Sequence, residues 1–384
     1  MLAYRATVTV SARWRLAACA VVAAALAACG GAGSAVAPVP ASLAAGLSPA
    51  QLAGQRVIYS YQGLTPPARL LDLIRHGEAA GVIFFGSNIA STTQIAGVIS
   101  QLDQANASRY NPLRTLPLLL MTDQEGGLVR RLPGAPLLSE KQIGASADPP
   151  AEATKAGTGA GQTLAGVGMN VNLAPVLDIF RAPGDFDDQF GRSYSSDPGT
   201  VSALGARFIT AQQATGVAAT AKHFPGLGAA GSSQNTDEQA VTLNVPLDDL
   251  RSIDEYPYRA AIASRVKLVM LSWAVYPALD PRWPAGLSPT IIGGELRHRL
   301  GFTGVTITDA LEAGALRAFG TTGQRATLAA SAGMDLILCS GQSLSEGEQA
   351  RLALQDGLNN GTLNQAAFTS AVERIISLRS SLHR

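Results

Sequence analysis

From residue 49 onward, apolar runs of strand length alternate with longer segments whose apolar positions recur at helical spacing. Eight such runs occur: Arg56 to Tyr61, Gly81 to Phe85, Pro117 to Thr122, Asn170 to Ala174, Val217 to Ala221, Lys267 to Ser272, Gly304 to Thr308 and Asp335 to Cys339. Helices are expected over 67–79, 92–105, 152–167, 200–215, 256–264, 289–300 and 322–332, with two more near 345–358 and 365–378. This alternation predicts a parallel sheet. Eight strands without a second compositional block favour an α/β fold of the (β/α)8 TIM type, one barrel domain over 49–384, above an open doubly wound sheet.

The positions where the apolar runs break off strengthen the barrel reading, because barrel enzymes assemble their sites at the C-terminal strand ends. Strand two runs into Gly86-Ser87-Asn88, strand three into Asp123-Gln124-Glu125-Gly126-Gly127 and strand four into Asp178. Strand five ends in Lys222-His223 before Phe224-Pro225-Gly226, strand six in Trp273 and strand seven in Asp309. Loops that merely face solvent would not collect chemistry at the same end of each strand.

Composition changes the picture at the N-terminus. Arg5, Arg13 and Arg15 precede an apolar run to Ala28 that is too short to span a bilayer, so residues 1–28 read as a signal peptide. Its end, Leu26-Ala27-Ala28-Cys29-Gly30, resembles a bacterial lipobox, which implies cleavage before Cys29 and lipidation of its thiol. Residues 29–48, mostly Gly, Ala, Ser and Pro, read as a flexible tether. Loss of the leader takes the charged residues from 29 basic and 28 acidic to 26 and 28, which leaves no nucleic-acid footprint. Only Cys339 then remains as a free thiol, so a disulfide framework is excluded and Cys339 is expected in the core.

Several motifs carry nothing. Gly157-Thr158-Gly159-Ala160-Gly161 has the look of a dinucleotide loop but lies inside a helical segment, so it reads as small-residue helix packing. No metal-ligand spacing is found, and the acidic stretch Asp185, Asp187, Asp188 reads as a solvated rim. No cofactor is expected.

The blocks Gly81 to Ile89, Thr122 to Gly127, Asn172 to Asp178, Gly191 to Tyr194, Ala219 to Gly226 and Gly304 to Asp309 stand in an order that resembles the family 3 glycoside hydrolases, in their single-barrel β-N-acetylglucosaminidase branch. By that resemblance Asp309 is a nucleophile that forms a covalent glycosyl-enzyme, with net retention. The residues alone leave open an Asp309 that only caps the turn before Leu311. The resemblance also implies that Asp123, Arg192, Lys222 and His223 hold the sugar's hydroxyls and acetamido group. Each has an ordinary alternative: Asp123 as a turn cap, Arg192 paired with Asp187 or Asp188, Lys222 and His223 paired with a buried carboxylate. Asp178 is expected to be structural or marginal, and Glu125 to orient its neighbours.

The chain departs from the branch at the general acid/base, usually an aspartate-x-histidine pair on the loop after strand five. Here that loop offers Asp237-Glu238-Gln239. His76 and His298 fall in helical segments, His383 is penultimate, and His223 is committed to the strand end. The acid is therefore expected to be Asp237, or Glu238, or absent. The implied activity is that of an exo-acting β-N-acetylglucosaminidase on cell-wall (peptidoglycan) fragments, with N-acetylglucosamine-containing glycans as partners and a lipid anchor to the outer face of the cytoplasmic membrane. The alternatives are a silent glycan-binding lipoprotein, a β-glucosidase or a glycoside phosphorylase.

Overall fold

The computed structural model describes residues 43–382. The leader, Cys29 and most of the tether lie outside the described residues. The eight expected strands form one parallel sheet: β1 (Val57–Tyr59), β2 (Gly81–Ile83), β3 (Leu119–Thr122), β4 (Val171–Asn172), β5 (Ala218–Phe224), β6 (Leu268–Leu271), β7 (Val305–Thr308) and β8 (Ile337–Leu338). Their spatial order is β7-β6-β5-β4-β3-β2-β1-β8. A parallel bridge from Ile307 to Leu336 joins the two ends, so the sheet closes into the (β/α)8 barrel.

The strands are buried on both faces, which explains their nearly unbroken apolar runs. Ile58, Ile83, Met121, Val171, Met270 and Ile307 fill the barrel interior. Val57, Tyr59, Val82, Leu120 and Val269 point outward and pack under the helices. At the N-terminal end of the barrel, buried Asp335 binds Arg297 at 2.6 Å and Arg374 at 2.7 Å, a cluster on the stability face. Cys339 is buried and free, as expected.

The helices fall where periodicity puts them, with shifted starts. Those expected from 152 and 200 begin at Pro149 and Pro198 (α1, Pro149–Ala165; α2, Pro198–Gln213). In each case an aspartate, Asp148 or Asp197, caps the helix and proline takes the first helical position, a start signal independent of apolar spacing. The glycine-rich stretch in α1 packs closely: a Cβ on Gly157 would stand 2.3 Å from the Phe208 carbonyl oxygen of α2, and one on Gly161 2.1 Å from Thr215 Oγ1. Gly157→Ala must push α1 and α2 apart and is expected to cost about 1–3 kcal/mol, readable as an earlier midpoint in denaturant unfolding at unchanged slope.

Candidate active site

Strand β5 sets the site. All seven of its residues, Ala218 to Phe224, are buried. The sequence boundary at Ala221 is thus corrected: Lys222 and His223 belong to the strand, because buried carboxylates satisfy them. Lys222 Nζ reaches Asp123 Oδ1 at 2.9 Å and Glu125 Oε1 at 2.8 Å. Arg192 takes Glu125 through two nitrogens, at 2.9 and 3.0 Å, and turns a third to Asp187 at 2.9 Å. Burial alone would raise the Glu125 pKa, but Arg192 and Lys222 hold it down, from about 4.5 to about 2. Burial opposes the charges of Lys222 and Arg192 too, yet the carboxylates around them keep both pKa values above their ordinary range.

The acidic stretch is not a solvated rim. Asp187 and Asp188 are each 1% exposed, because Arg192 takes the first and Lys141 the second at 2.8 Å. Asp178, fully buried, accepts from the Leu227 backbone at 2.6 Å and meets His223 Nδ1 at 2.6 Å. Burial pushes His223 down to about 4, so the ring is neutral at pH 7, and the Asp178 carboxylate fixes its proton on Nδ1. Asp178 is therefore the residue that orients His223 rather than a marginal one.

Asp309 follows β7 and accepts from the Ala310 backbone at 2.8 Å. The Ala310 carbonyl in turn accepts from the indole of buried Trp273, 2.8 Å away, so the end of strand six holds the turn that carries Asp309. Burial raises the Asp309 pKa to about 6, against the pull of His223 and with the help of Asp237. Asp309, Asp123, Glu125, Arg192, Lys222, His223 and Asp237 all line one cleft of about 470 Å3 at the C-terminal barrel mouth, a size ordinary for a small ligand.

The loop after β5 is fastened through its backbone. The Gly314 amide donates to the Asp237 carbonyl at 2.7 Å and the Ala315 amide to the Thr236 carbonyl at 3.0 Å. Only glycine fits at 314, since a Cβ there would meet the Glu238 carbonyl oxygen at 2.1 Å. Asp237 lines the cleft, whereas Glu238, which accepts from the Asn235 side chain at 3.1 Å, and Gln239, which donates to the Ser233 carbonyl at 2.7 Å, do not. Although the Asp237 side chain is solvent-accessible, the protein around its carboxyl desolvates it enough to raise its pKa, with Arg192 opposing and Glu312 and Asp123 adding repulsion. His76 and His298 do not line the cleft, and His383 lies outside the described residues.

Two strand-end residues prove structural: Asn88 holds the Tyr61 and Gly63 carbonyls, and Ser87 donates to Gln342 at 2.6 Å. The cleft also contains Arg131, Phe186, Glu312 and Ser340, which sequence reasoning passed over. Glu312 lies three residues after Asp309 and accepts from Ser340 at 2.9 Å, a short spacing that could have drawn notice.

A closed parallel barrel with carboxylates and their cationic partners gathered at its C-terminal mouth is one of the architectures on which glycoside hydrolases, among other enzymes, are built. Residues 50–378 match the family described as the Glycosyl hydrolase family 3 N terminal domain, and the chain belongs to that family. It is 46% identical over 331 residues, 86% of this chain and 93% of the relative, to an uncharacterized secreted glycosyl hydrolase of Arthroderma benhamiae. The fold matches a glycoside hydrolase family 3 beta-N-acetylglucosaminidase from Paenibacillus with a TM-score of 0.81 and 34% identity, covering 87% of this chain and 62% of that one. A beta-N-acetylhexosaminidase from Beutenbergia cavernae matches with a TM-score of 0.78 and 31% identity, covering 87% of this chain and 99% of its own. The chain thus spans less than two thirds of the Paenibacillus protein and nearly all of the Beutenbergia one.

The Glu125 shift has a sign. A carboxylate depressed from about 4.5 to about 2 contributes stability that is fully present above the ordinary value and lost as pH falls towards 2. Glu125→Gln should cost roughly 3 kcal/mol near pH 7, and the gap from wild type in denaturant melts should close as pH drops below 4. A gap independent of pH would contradict this.

Proposed function

We propose that the protein is a retaining exo-β-N-acetylglucosaminidase in which Asp309 is the nucleophile and Asp237 the general acid/base. The observation that carries this is the shared cleft: Asp237 and Asp309 line it together, and the Asp237 charge helps raise the pKa of Asp309. In the first half-reaction an Asp309 oxygen bonds to the anomeric carbon as the glycosidic bond breaks, and the leaving oxygen takes the Asp237 proton. In the second, water gives a proton back to Asp237 and its oxygen displaces Asp309, which restores the enzyme and releases the sugar with retained configuration.

Asp123, the free edge of Lys222 and the Nε2 of His223 are the groups that meet the sugar's hydroxyls. Arg192 is a different matter. With Glu125 and Asp187 already bound, it acts mainly by fixing Glu125, and through it Lys222. The hexosaminidase and acetylglucosaminidase relatives support N-acetylglucosamine as the sugar. Peptidoglycan fragments as substrate, and a lipid at Cys29 that anchors the enzyme to the outer face of the cytoplasmic membrane, rest on the sequence alone. No helix among the described residues is long and apolar enough to cross a membrane.

The test is turnover of aryl N-acetylglucosaminide beside the aryl glucoside, with and without phosphate. Asp309→Asn should lose nearly all of it, and a 2-deoxy-2-fluoro glycosyl probe should label wild type at Asp309; a label on another carboxylate would overturn the assignment. Asp237→Ala should slow substrates with poor leaving groups by about 10² to 10⁴ more than activated aryl ones, while Glu238→Ala slows both little and equally.

The pH profile follows from the same pair. Both carboxyls are raised above the ordinary carboxylate range, and the reaction needs Asp309 ionised with Asp237 protonated, so kcat/KM should be bell-shaped in pH with one limb near 6. Asp237→Asn removes the repulsion and should move the acid limb to lower pH.

For the anchor, Cys29→Ala should shift the protein from the membrane to the soluble fraction with activity intact. Unchanged fractionation would defeat the lipid reading.

A further inference from the structure

The two ends of the barrel differ in charge. Carboxylates gather at the mouth, while the connections from helix ends into strands, on the opposite face, carry cations. Arg75 closes the helix Ala68–Arg75 before β2, Arg109 lies between Thr92–Asn106 and β3, and Arg265 and Lys267 lie between Tyr256–Ala263 and β6. Arg75, Arg109 and Arg265 are exposed and Lys267 is half-buried, and among the described residues no carboxylate pairs with any of the four. The acids near this face are mostly engaged: Glu78 meets Arg351 at 3.0 Å, Asp72 meets Arg69 at 3.0 Å, and buried Asp335 lies between Arg297 and Arg374. Arg114 and Asp103 add one charge of each sign, and Glu373 is an exposed acid on the last helix. Four cations against Glu373 leave a surplus of three, in a chain whose mature form carries more acid than base. The negative end of a helix dipole accounts for Arg75, but not for Arg109 and Lys267, three and four residues beyond their helices.

The same face receives the N-terminal part of the chain. The last helix, Gln365–Ser380, closes this end of the barrel, with Ile375 and Leu378 packed among the interior residues of the strands. Leu43–Gly46, where the described residues begin, packs against that helix, and Gln51 donates to the His76 carbonyl at 3.0 Å. Whatever precedes residue 43 therefore joins the barrel at its basic face. Beside that junction Tyr110 is 57% exposed and stacks on the His76 ring with centroids 5.8 Å apart, and the Arg109 guanidinium lies 4.8 Å from the tyrosine ring centre. An exposed tyrosine among arginines is a combination suited to a lipid headgroup layer, where the ring sits at the boundary and the cations meet phosphate.

We infer that the N-terminal face of the barrel docks on an anionic phospholipid surface, with the mouth turned the opposite way. Two independent observations select this occupant: the sign of the surplus charge, and the junction with the segment that the sequence reads as a lipid-bearing tether. A lipid anchor holds more firmly when a basic patch adds a second contact, and each cation near an anionic surface strengthens binding by about fivefold at low salt. Three or four such contacts orient an anchored protein but do not hold an unanchored one at physiological salt. Docked in this way, the cleft opens away from the membrane, so its substrate arrives from the far side and not from the lipid layer. The inference rests on the proposed anchor for the choice of a membrane over another polyanion, and adds which face meets it.

The experiment sediments the Cys29→Ala protein, which carries no lipid there, with vesicles of phosphatidylcholine alone or of phosphatidylcholine with phosphatidylglycerol at low salt. Binding is expected to the anionic vesicles only, and is expected to vanish in about 1 M salt, where charges are screened beyond about 3 Å. Arg75→Gln, Arg109→Gln and Arg265→Gln introduced together should weaken it by on the order of a hundredfold. Arg282→Gln with Arg317→Gln, exposed positions on loops that follow β6 and β7 at the mouth, should leave it unchanged. No binding of the Cys29→Ala protein to anionic vesicles, or equal binding to both kinds, would overturn the inference whether or not the further variants fold. Comparable losses in the two sets of variants would overturn it too, by making the attraction a matter of overall charge. Binding to soluble polyphosphate without binding to vesicles would give the face to an anionic polymer instead of a membrane. A wild type whose Cys29 proves free of lipid by mass spectrometry would remove the anchor alone, because the vesicle result is obtained without it.

Discussion

Glu125 stays ionised with almost no water around it, because a bidentate arginine and a lysine reach it from either side. A buried carboxylate in that position is costly to strand, so each partner is obliged to keep its place. Lys222 belongs to strand five and Arg192 to the segment before α2, so this one charge ties separate parts of the barrel mouth together. The same tie leaves Lys222 with a free edge beside Asp123, and gives Arg192 no freedom to move with a ligand. The rigidity of this wall of the cleft is the rigidity of this network.

Asp178 and His223 extend the scheme with opposite protonation. His223 is kept neutral by burial, and Asp178 fixes which nitrogen bears the proton. The ring therefore offers a lone pair from Nε2 to the cleft. The wall as a whole combines donors, from Lys222, with acceptors, from Asp123 and His223, which is the mixture a ring of vicinal hydroxyls requires.

Much of this was legible in the sequence, for reasons that also mark where it stopped. Strands buried on both faces write themselves as apolar runs, so the order of the barrel and the strand-end positions of Asp123 and Asp309 could be read directly. Proline and aspartate at the helix starts carry no apolar signal, so the boundaries at 149 and 198 drifted. The residues around Lys222 and His223 looked like the end of a strand because charge normally marks solvent; only the distant carboxylates that bury them, Glu125 and Asp178, reveal that the strand continues. Asp187 and Asp188 were misjudged for the same reason, since their partners Arg192 and Lys141 are local in space but unremarkable in spacing. Arg131 carried no motif of its own, and its place on the cleft wall is visible only in the fold.

The loop after strand five has one further property. It is secured to the turn beyond Asp309 by main-chain amides and carbonyls, with Gly314 providing the clearance, and not by the side chains it displays. Its link to the barrel therefore does not depend on the side chain at 237, while Glu238 and Gln239 brace the loop internally through Asn235 and the Ser233 carbonyl. A lineage could exchange the residue at 237 and alter the acid-base character of the cleft while leaving that link in place.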